Sequence, residues 1–76
     1  MNKLPALSGK ELSGILEKAG YVVDHQTGSH IILRNANYPH RRLTVPNHKE
    51  IARGTMRSIL RQAGLTVEEF NAMRKR

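Results

Sequence analysis

The 76-residue sequence contains no cysteine and no tryptophan, and only three aromatic residues. The absence of cysteine excludes a disulfide framework, a thiolate nucleophile and a cysteine-based zinc site. The longest aliphatic run, Ile31–Leu33, is far shorter than the ~20 residues of a membrane span, and the N-terminus lacks the apolar segment of a signal peptide. We therefore expect a cytoplasmic protein that has no membrane partner.

Phosphate-binding glycine loops, HExxH motifs and nucleotide-binding fingerprints are also missing from the sequence. We therefore expect no cofactor and no metal. The few aromatic residues argue against a surface on which single-stranded bases stack.

Acidic residues are scarce: six Asp and Glu stand against 13 Lys and Arg, which gives a net charge of +7. Such an excess on a small domain favours a polyanionic partner, and nucleic acid is the first candidate. An anionic membrane is less favoured, because no predicted helix pairs a broad apolar face with a basic one. A merely solubilising surface is the other interpretation. The basic residues are dense in the middle of the chain: Arg34, Arg41, Arg42, Lys49, Arg53, Arg57 and Arg61.

The first helix is predicted to begin at Ser8, after an unstructured lead over residues 1–7. Ser8 stands three residues before Glu11, which is the spacing of a capping box. Gly20 supplies the left-handed residue that ends a helix. Between them, the apolar residues recur with the period of one buried stripe: Leu12, Ile15, Leu16 and Ala19.

Three strands are predicted next. The first opens at Tyr21–Val23, the second covers Ser29–Arg34, and the third covers His40–Val45, where Pro46 stops it. The segment Asn35–His40 is predicted to be a loop. Because the links are short, we expect an antiparallel meander.

A second helix is predicted from about Gly54 to Gly64, and a short third helix follows a Thr66–Glu69 capping box. The second helix has an apolar stripe of Met56, Ile59, Leu60 and Ala63, and the third uses Val67, Phe70 and Met73. The order predicts one α+β domain over residues 1–76: a three-stranded antiparallel sheet with two helices on one face, plus a short C-terminal helix. Residues 71–76 are predicted to form a basic tail.

His30 is the leading catalytic candidate. The alternation of the second strand places Ile31 and Leu33 on one face, and His30, Ile32 and Arg34 on the face that no helix covers. Imidazole titrates near pH 6.5, so it can remove a proton from an RNA 2′-hydroxyl at neutral pH. The alternative is an ordinary surface histidine on a half-exposed strand.

The other histidines have weaker cases. His25, His40 and His48 form a conceivable metal site, but their spacing matches no helical or hairpin ligand pair. His48 follows Pro46 and Asn47 in a basic loop, where it either faces a phosphate or is simply solvated.

Two arginines of the second helix, Arg57 and Arg61, lie one turn apart on its solvent side and repel each other unless an anion lies between them. Lys49 and Arg53 extend this basic track. The track either binds backbone phosphates or is a solvated face. Binding of this kind recognises phosphates and 2′-hydroxyls, and so the shape of an RNA more than its sequence.

An ordered set of motifs resembles the HicA toxin family of bacterial toxin–antitoxin modules, also called YcfA-like. The resemblance covers residues 8 to about 70. The matching segments are Ser8–Leu12, Leu16–Gly20, Gly28–Ile32, Leu43–His48 and Gly54–Leu65.

The resemblance implies the fold of a double-stranded RNA-binding domain and the activity of an mRNA interferase. It implies that His30, in the Gly28-Ser29-His30 motif, is the catalytic residue and that cleavage needs no metal. The implied partners are mRNA and a HicB-type antitoxin, with DNA reached only through the antitoxin. Family members often carry a basic residue just before this motif, where Thr27 stands here; Arg34, Arg41 and Arg42 offer cations from the neighbouring strands.

Two other hypotheses remain at this stage. The first is an RNA-binding module of the same fold without catalysis. The second is a DNA-binding helix–turn–helix built around Gly64–Thr66. However, Leu65, Val67 and Phe70 indicate that the last helix packs against the domain and is not exposed for DNA. If the chain is an RNase, the group that protonates the leaving oxygen is either His48 or one of the arginines.

Overall fold

The computed structural model describes residues 4–38 and 41–75 and has the predicted order of elements. The helices are α1 (Gly9–Glu17), α2 (Arg53–Ala63) and α3 (Val67–Arg74), and the strands are β1 (Tyr21–Gln26), β2 (His30–Asn35) and β3 (Arg42–Pro46). The α+β fold is therefore confirmed. The predicted start of the third strand at His40 lies outside the described residues.

The three strands form one antiparallel sheet in the order β1-β2-β3. Along β2 and β3 the register is regular, with His30 opposite Pro46 and Arg34 opposite Arg42. On β1 the register shifts between Val23 and His25. This β-bulge places one extra residue, Asp24, in the strand and increases its local twist.

Both predicted capping boxes are present. In α1, Ser8 Oγ accepts a hydrogen bond from the Glu11 N–H at 3.1 Å, and Glu11 Oε1 accepts one from the Ser8 N–H at 3.0 Å. The bond from the Ser8 N–H, with help from the Ser8 side chain, lowers the pKa of Glu11 because it stabilises the ionised carboxylate. Thr66 and Glu69 form the same pair of bonds at the start of α3. The remaining helix, α2, is ended by Gly64, the residue after Ala63, whose φ of 77° is left-handed.

The core lies between the helices and one face of the sheet. The sheet contributes Ile31, Leu33, Leu43 and Val45, and the predicted stripes of α1 and α2 pack against them. Phe70 of α3 is fully buried in the same core, and Val67 and Met73 pack against it. This packing disfavours a helix–turn–helix, which needs an exposed second helix.

The prediction of an unstructured lead is wrong for residues 4–7. Leu4 and Leu7 are buried in the core, and the Leu7 carbonyl accepts a hydrogen bond from the Ile51 N–H at 2.9 Å. Residues 4–7 form no helix or strand, and two apolar residues are too few to show a periodic pattern. Their burial could therefore not be predicted from the sequence. Residues 1–3 lie outside the described part of the chain.

The predicted boundary at residue 70 is not a structural one. Helix α3 continues through residues 71–74 of the predicted tail. Lys18 Nζ donates a hydrogen bond to the Met73 carbonyl at 3.3 Å, which connects the last turn of α3 to the end of α1.

Candidate functional site

The face of the sheet opposite the helices is the open face. Ile31 and Leu33 point into the core, so the alternation of β2 places His30, Ile32 and Arg34 on the open face, as predicted. Their register partners on the flanking strands share this face: Val22 and His25 on β1, and Arg42, Thr44 and Pro46 on β3.

Ile32 departs from the expectation that this face meets water. Its side chain is only 5 % exposed, although it is not part of the core between helices and sheet. Its register partners, His25 and Thr44, are both exposed. The open face therefore has an apolar centre, with His30 on one side of Ile32 along β2 and Arg34 on the other.

The turn between β1 and β2 holds the backbone of His30. The His30 N–H donates to Thr27 Oγ1 at 3.0 Å, and the Thr27 N–H donates to the His30 carbonyl at 2.9 Å. The side chain of His30 is exposed, and its Nδ1 lies 3.1 Å from Ser29 Oγ. The ring is thus accessible to solvent and attached to a fixed backbone.

The loop after β3 lies beside this turn. The Asn47 N–H donates to the Ser29 carbonyl, and the Gly9 N–H donates to the His48 carbonyl, both at 2.9 Å. The turn Gly28–His30, the loop that carries His48 and Lys49, and the start of α1 therefore meet at one end of the sheet. The side chain of His48 is exposed at this end.

Arg34 and Arg42 lie at the other end of the open face. They are directly opposite each other in the register, an arrangement that is unfavourable for like charges unless an anion is near. Asp24 supplies one carboxylate: its Oδ1 lies 3.4 Å from Arg34 Nε, and its Oδ2 lies 2.7 Å from His25 Nδ1. The hydrogen bond with His25, with help from the charge of Arg34, lowers the pKa of Asp24.

Arg41 is separated from Arg42 although the two are adjacent in sequence. Its guanidinium lies over the ring of Tyr38, 4.9 Å from the ring centroid, and beside Gly64 at the end of α2. A cation in this position is favourable, because the last carbonyls of a helix carry partial negative charge. Arg41 therefore contributes to the end of α2 and not to the open face.

The remaining predicted cations follow α2. At 100° per residue, Arg53, Arg57 and Arg61 lie along one flank of the helix, and all three are exposed. We call these three residues the α2 row. The opposite flank is polar but uncharged, with Gln62 donating to Ser58 Oγ at 3.4 Å. Arg57 and Arg61 also border a shallow groove whose other walls are Leu60, Leu65, Thr66 and Val67.

The α2 row starts at the end of the sheet where His30 lies. Strand β3 ends at Pro46, opposite His30, and α2 begins seven residues later at Arg53, after Ala52, which makes no side-chain capping hydrogen bond. Helix α2 ends at the other end, where Tyr21 Oη donates to the Ala63 carbonyl at 3.3 Å. Apart from Arg41 and the residues of the turn and loop beside His30, the predicted RNA-binding residues therefore form two basic surfaces, the open face and the α2 row, on opposite layers of the fold.

Two further features bear on the expectations from sequence. Within residues 4–38 and 41–75, no three side chains of His, Cys, Asp or Glu converge on a point where a metal could bind. His40, one of the three histidines considered for such a site, is outside these residues. In the same described ranges, no helix is both long enough and apolar enough to cross a membrane.

Comparison with known protein families identifies the family of the chain. The family described as "HicA toxin of bacterial toxin-antitoxin" matches residues 9–65, from the first residue of α1 to the residue after Gly64. The chain belongs to the HicA toxin family. No curated protein matches the chain. The HicA match includes the whole sheet, His30 and the α2 row, and it ends before α3.

Membership of the HicA family makes the chain the toxin component of a bacterial toxin–antitoxin module and implies an antitoxin partner. Sequence reasoning missed two parts of the site, the Asp24 carboxylate beside Arg34 and the burial of Ile32. The adjacent Asp24 and His25 were visible in the sequence, but the contact of Asp24 with Arg34 depends on the pairing of β1 with β2, which spacing along the chain does not give.

Proposed function

We propose that this HicA-family toxin is an endoribonuclease that cleaves mRNA without a metal ion, and thereby inhibits translation, with His30 as the catalytic residue. The observation that supports the proposal is the position of His30. Its imidazole is exposed on the open face, its backbone is fixed by Thr27, and Arg34 and Arg42 lie on the same face.

An imidazole in this position suits the cleavage of RNA by its own 2′-hydroxyl. The ring accepts the proton of the 2′-hydroxyl, and the 2′-oxygen forms a bond to the adjacent phosphorus. The bond from phosphorus to the 5′-oxygen of the next nucleotide breaks, and that oxygen takes up a proton. The products are a fragment with a 2′,3′-cyclic phosphate and a fragment with a free 5′-hydroxyl.

The cations would hold the strand and offset the charge that develops on the phosphate. His30 and Arg34 are four positions apart in β2, or about 13 Å at the rise of a β-strand, so they would contact different nucleotides. The proposed RNA-binding residues are those of the turn, the open face, the loop after β3 and the α2 row: Gly28, Ser29, Arg34, Arg42, His48, Lys49, Arg53, Arg57 and Arg61. Arg41 was also predicted to bind RNA, but it lies over Tyr38 at the end of α2, so it could contact RNA only from that position.

The proton for the leaving oxygen has two candidate sources. His48 lies in the loop whose neighbour Asn47 is hydrogen-bonded to Ser29, so it is at the same end of the sheet as His30. The alternative is an arginine, which would stabilise the charge on the leaving oxygen while that oxygen takes its proton from water. The proximity of the two loop segments favours testing His48 first.

A free RNase of this kind would damage its own cell, so its module must supply an inhibitor. We propose a HicB-type antitoxin that covers His30, with any contact to DNA made by the antitoxin. A partner seated on the open face would meet Val22, which is 49 % exposed, together with the cations of that face.

The test is the cleavage of a defined RNA in EDTA by the parent chain and by His30→Ala. His25→Ala is the matched control, because His25 is exposed on the same face and pairs with Asp24. We expect loss of cleavage and of growth arrest in His30→Ala, with fold and RNA affinity retained, and cleavage close to the parent's in His25→Ala. End-group analysis should find the cyclic phosphate.

The competing hypothesis is a non-catalytic RNA-binding module. Equal cleavage by His30→Ala and the parent would remove the catalytic role of His30. RNA binding without any cleavage by the parent would establish the binding module instead.

A further inference from the structure

The ring of His30 has a specific neighbour. Among the residues that the structure describes, Ser29 Oγ is the one hydrogen-bonding atom within reach of the imidazole, at 3.1 Å from Nδ1. The other hydroxyl of the turn, Thr27 Oγ1, is engaged with the His30 backbone, from which it accepts at 3.0 Å and to which it donates at 3.3 Å. The turn therefore uses one hydroxyl for the backbone of His30 and another for its ring.

We propose that Ser29 is a positioning residue: its hydroxyl accepts a hydrogen bond from Nδ1–H of His30, which leaves the lone pair of the neutral ring on Nε2. This inference rests on the proposed function, in which the ring acts as a base. A neutral imidazole has one N–H and one lone pair, and the partner of one nitrogen decides which nitrogen is basic.

The same bond serves both charge states of the ring. When Nε2 accepts a proton, Nδ1–H continues to donate to Ser29 Oγ, because both nitrogens of the imidazolium are donors. The proton is therefore gained and lost at Nε2 alone, and the ring does not have to rotate between the two halves of the reaction. If Ser29 donated to Nδ1 instead, Nε2 would carry the proton in the neutral ring and could not act as the base.

The chain contains its own reference for this tautomer. His25 Nδ1 lies 2.7 Å from Asp24 Oδ2, and an ionised carboxylate can only accept a hydrogen bond. The neutral ring of His25 must therefore carry its proton on Nδ1. The NMR shifts of the two ring nitrogens of His25 calibrate what the same tautomer of His30 looks like in this protein.

The first experiment measures the tautomer directly. In the free protein at about pH 8, where an imidazole is neutral, long-range ¹H–¹⁵N correlation spectra report which ring nitrogen carries the proton. We expect Nδ1–H for His30 in the parent and in Ser29→Thr, which keeps the hydroxyl. In Ser29→Ala we expect a shift toward Nε2–H, the form that free histidine favours in water, whereas Ser58→Ala, which removes an exposed hydroxyl from α2, should leave His30 unchanged.

The fold should survive the substitution. The link from Ser29 to the loop after β3 is a backbone bond, with the Ser29 carbonyl accepting from the Asn47 N–H, and the alanine variant keeps it. A parent protein in which His30 carries its proton on Nε2 would overturn the proposal. So would a Ser29→Ala variant whose His30 remains in the Nδ1–H form.

The second experiment measures the rate. We expect Ser29→Ala to lower kcat for RNA cleavage about fivefold, the factor that one ordinary hydrogen bond is worth, and we expect the rate to be restored in Ser29→Thr. The substitutions change no charged or titratable side chain, so those of the open face and of the loop after β3, namely Asp24, His25, Arg34, Arg42 and His48, are the same in all variants. A changed tautomer with an unchanged kcat would refute the positioning role.

The two proposals can fail separately. A parent chain that cleaves no RNA overturns the proposed function, while the NMR comparison still tests the bond between Ser29 and His30. Cleavage that depends on His30 but not on the Ser29 hydroxyl overturns the inference and leaves the proposed function standing.

Discussion

Gly9, the first residue of α1, packs directly against the backbone of Pro46, the last residue of β3. A Cβ atom on Gly9 would collide with the Pro46 carbonyl oxygen and would lie 3.1 Å from the Cα of Asn47. The N–H of Gly9 also donates to the His48 carbonyl at 2.9 Å. Since Pro46 is opposite His30 in the sheet, this contact positions the loop beside the candidate site.

We predict that Gly9→Ala destabilises the fold. The obstacle is backbone, which cannot rotate away as a side chain would, so α1 and the loop must separate. Forcing an extra methyl into a packed contact costs about 2 kcal/mol, which for a domain of this size corresponds to a fall in Tm of about 10 °C. Urea and thermal unfolding measure the loss, and we expect slower RNA cleavage as Pro46 and His48 move.

Gly14→Ala is the matched control on the same helix. A Cβ at Gly14 meets nothing within 4 Å, and alanine is the better helix former, so this variant should gain about 0.5–1 kcal/mol. Equal stabilities of the two variants would show that the close approach at Gly9 carries no strain.

Much of the fold followed from local sequence patterns. Capping boxes at Ser8 and Thr66 fixed where α1 and α3 begin, because their hydrogen bonds lie within four residues. The alternation of β2 identified the face that carries His30, because the side-chain period of a strand is two and a shift of one residue would expose the core. These features depend on neighbours in the chain alone.

Other features depend on tertiary neighbours and could not be read from the sequence. Leu4 and Leu7 are buried in the core, where the Leu7 carbonyl pairs with the Ile51 N–H, and Ile32 is buried in the central strand of the sheet, between β1 and β3. Arg41 and Arg42 look equivalent in sequence, yet the first lies over Tyr38 and the second is on the open face. The division of the cations into two surfaces follows from the layers of the fold and not from spacing.

The Asp24 carboxylate predicts a pH dependence of stability. The hydrogen bond with His25 and the charge of Arg34 lower its pKa in the folded state from the ordinary value of 3.8. The folded state therefore favours the ionised form, and its stabilisation is complete above about pH 4 and is lost as the pH falls through the lowered pKa. We expect Asp24→Asn to lack this loss, so its free energy of unfolding should change less with pH between about 4 and 2.

Urea unfolding at a series of pH values tests this prediction, and the effect should be small because the pair is exposed to solvent. Glu17→Gln is the control: within the described residues, the Glu17 side chain has no hydrogen bond or ion pair, so its removal should leave the acid dependence close to the parent's. Glu11, whose pKa is also lowered, contributes equally in all three proteins. A parallel pH dependence for Asp24→Asn and the parent would contradict the assigned role of the carboxylate.

The α2 row predicts how RNA binding depends on salt. Replacing Arg57 and Arg61 with Glu should weaken RNA binding and make it less sensitive to salt, because a protein that contacts fewer phosphates releases fewer counterions when it binds. For single-stranded RNA the slope of log K against log salt should fall by about 1.4 for two contacts. Arg74→Glu with Lys75→Glu makes the same change of charge at the end of α3, and there we expect the slope to stay near the parent's. Equal slopes in all three proteins would show that this flank of α2 does not touch phosphate, and equal losses in both variants would mean that the net charge, not the row, attracts the RNA.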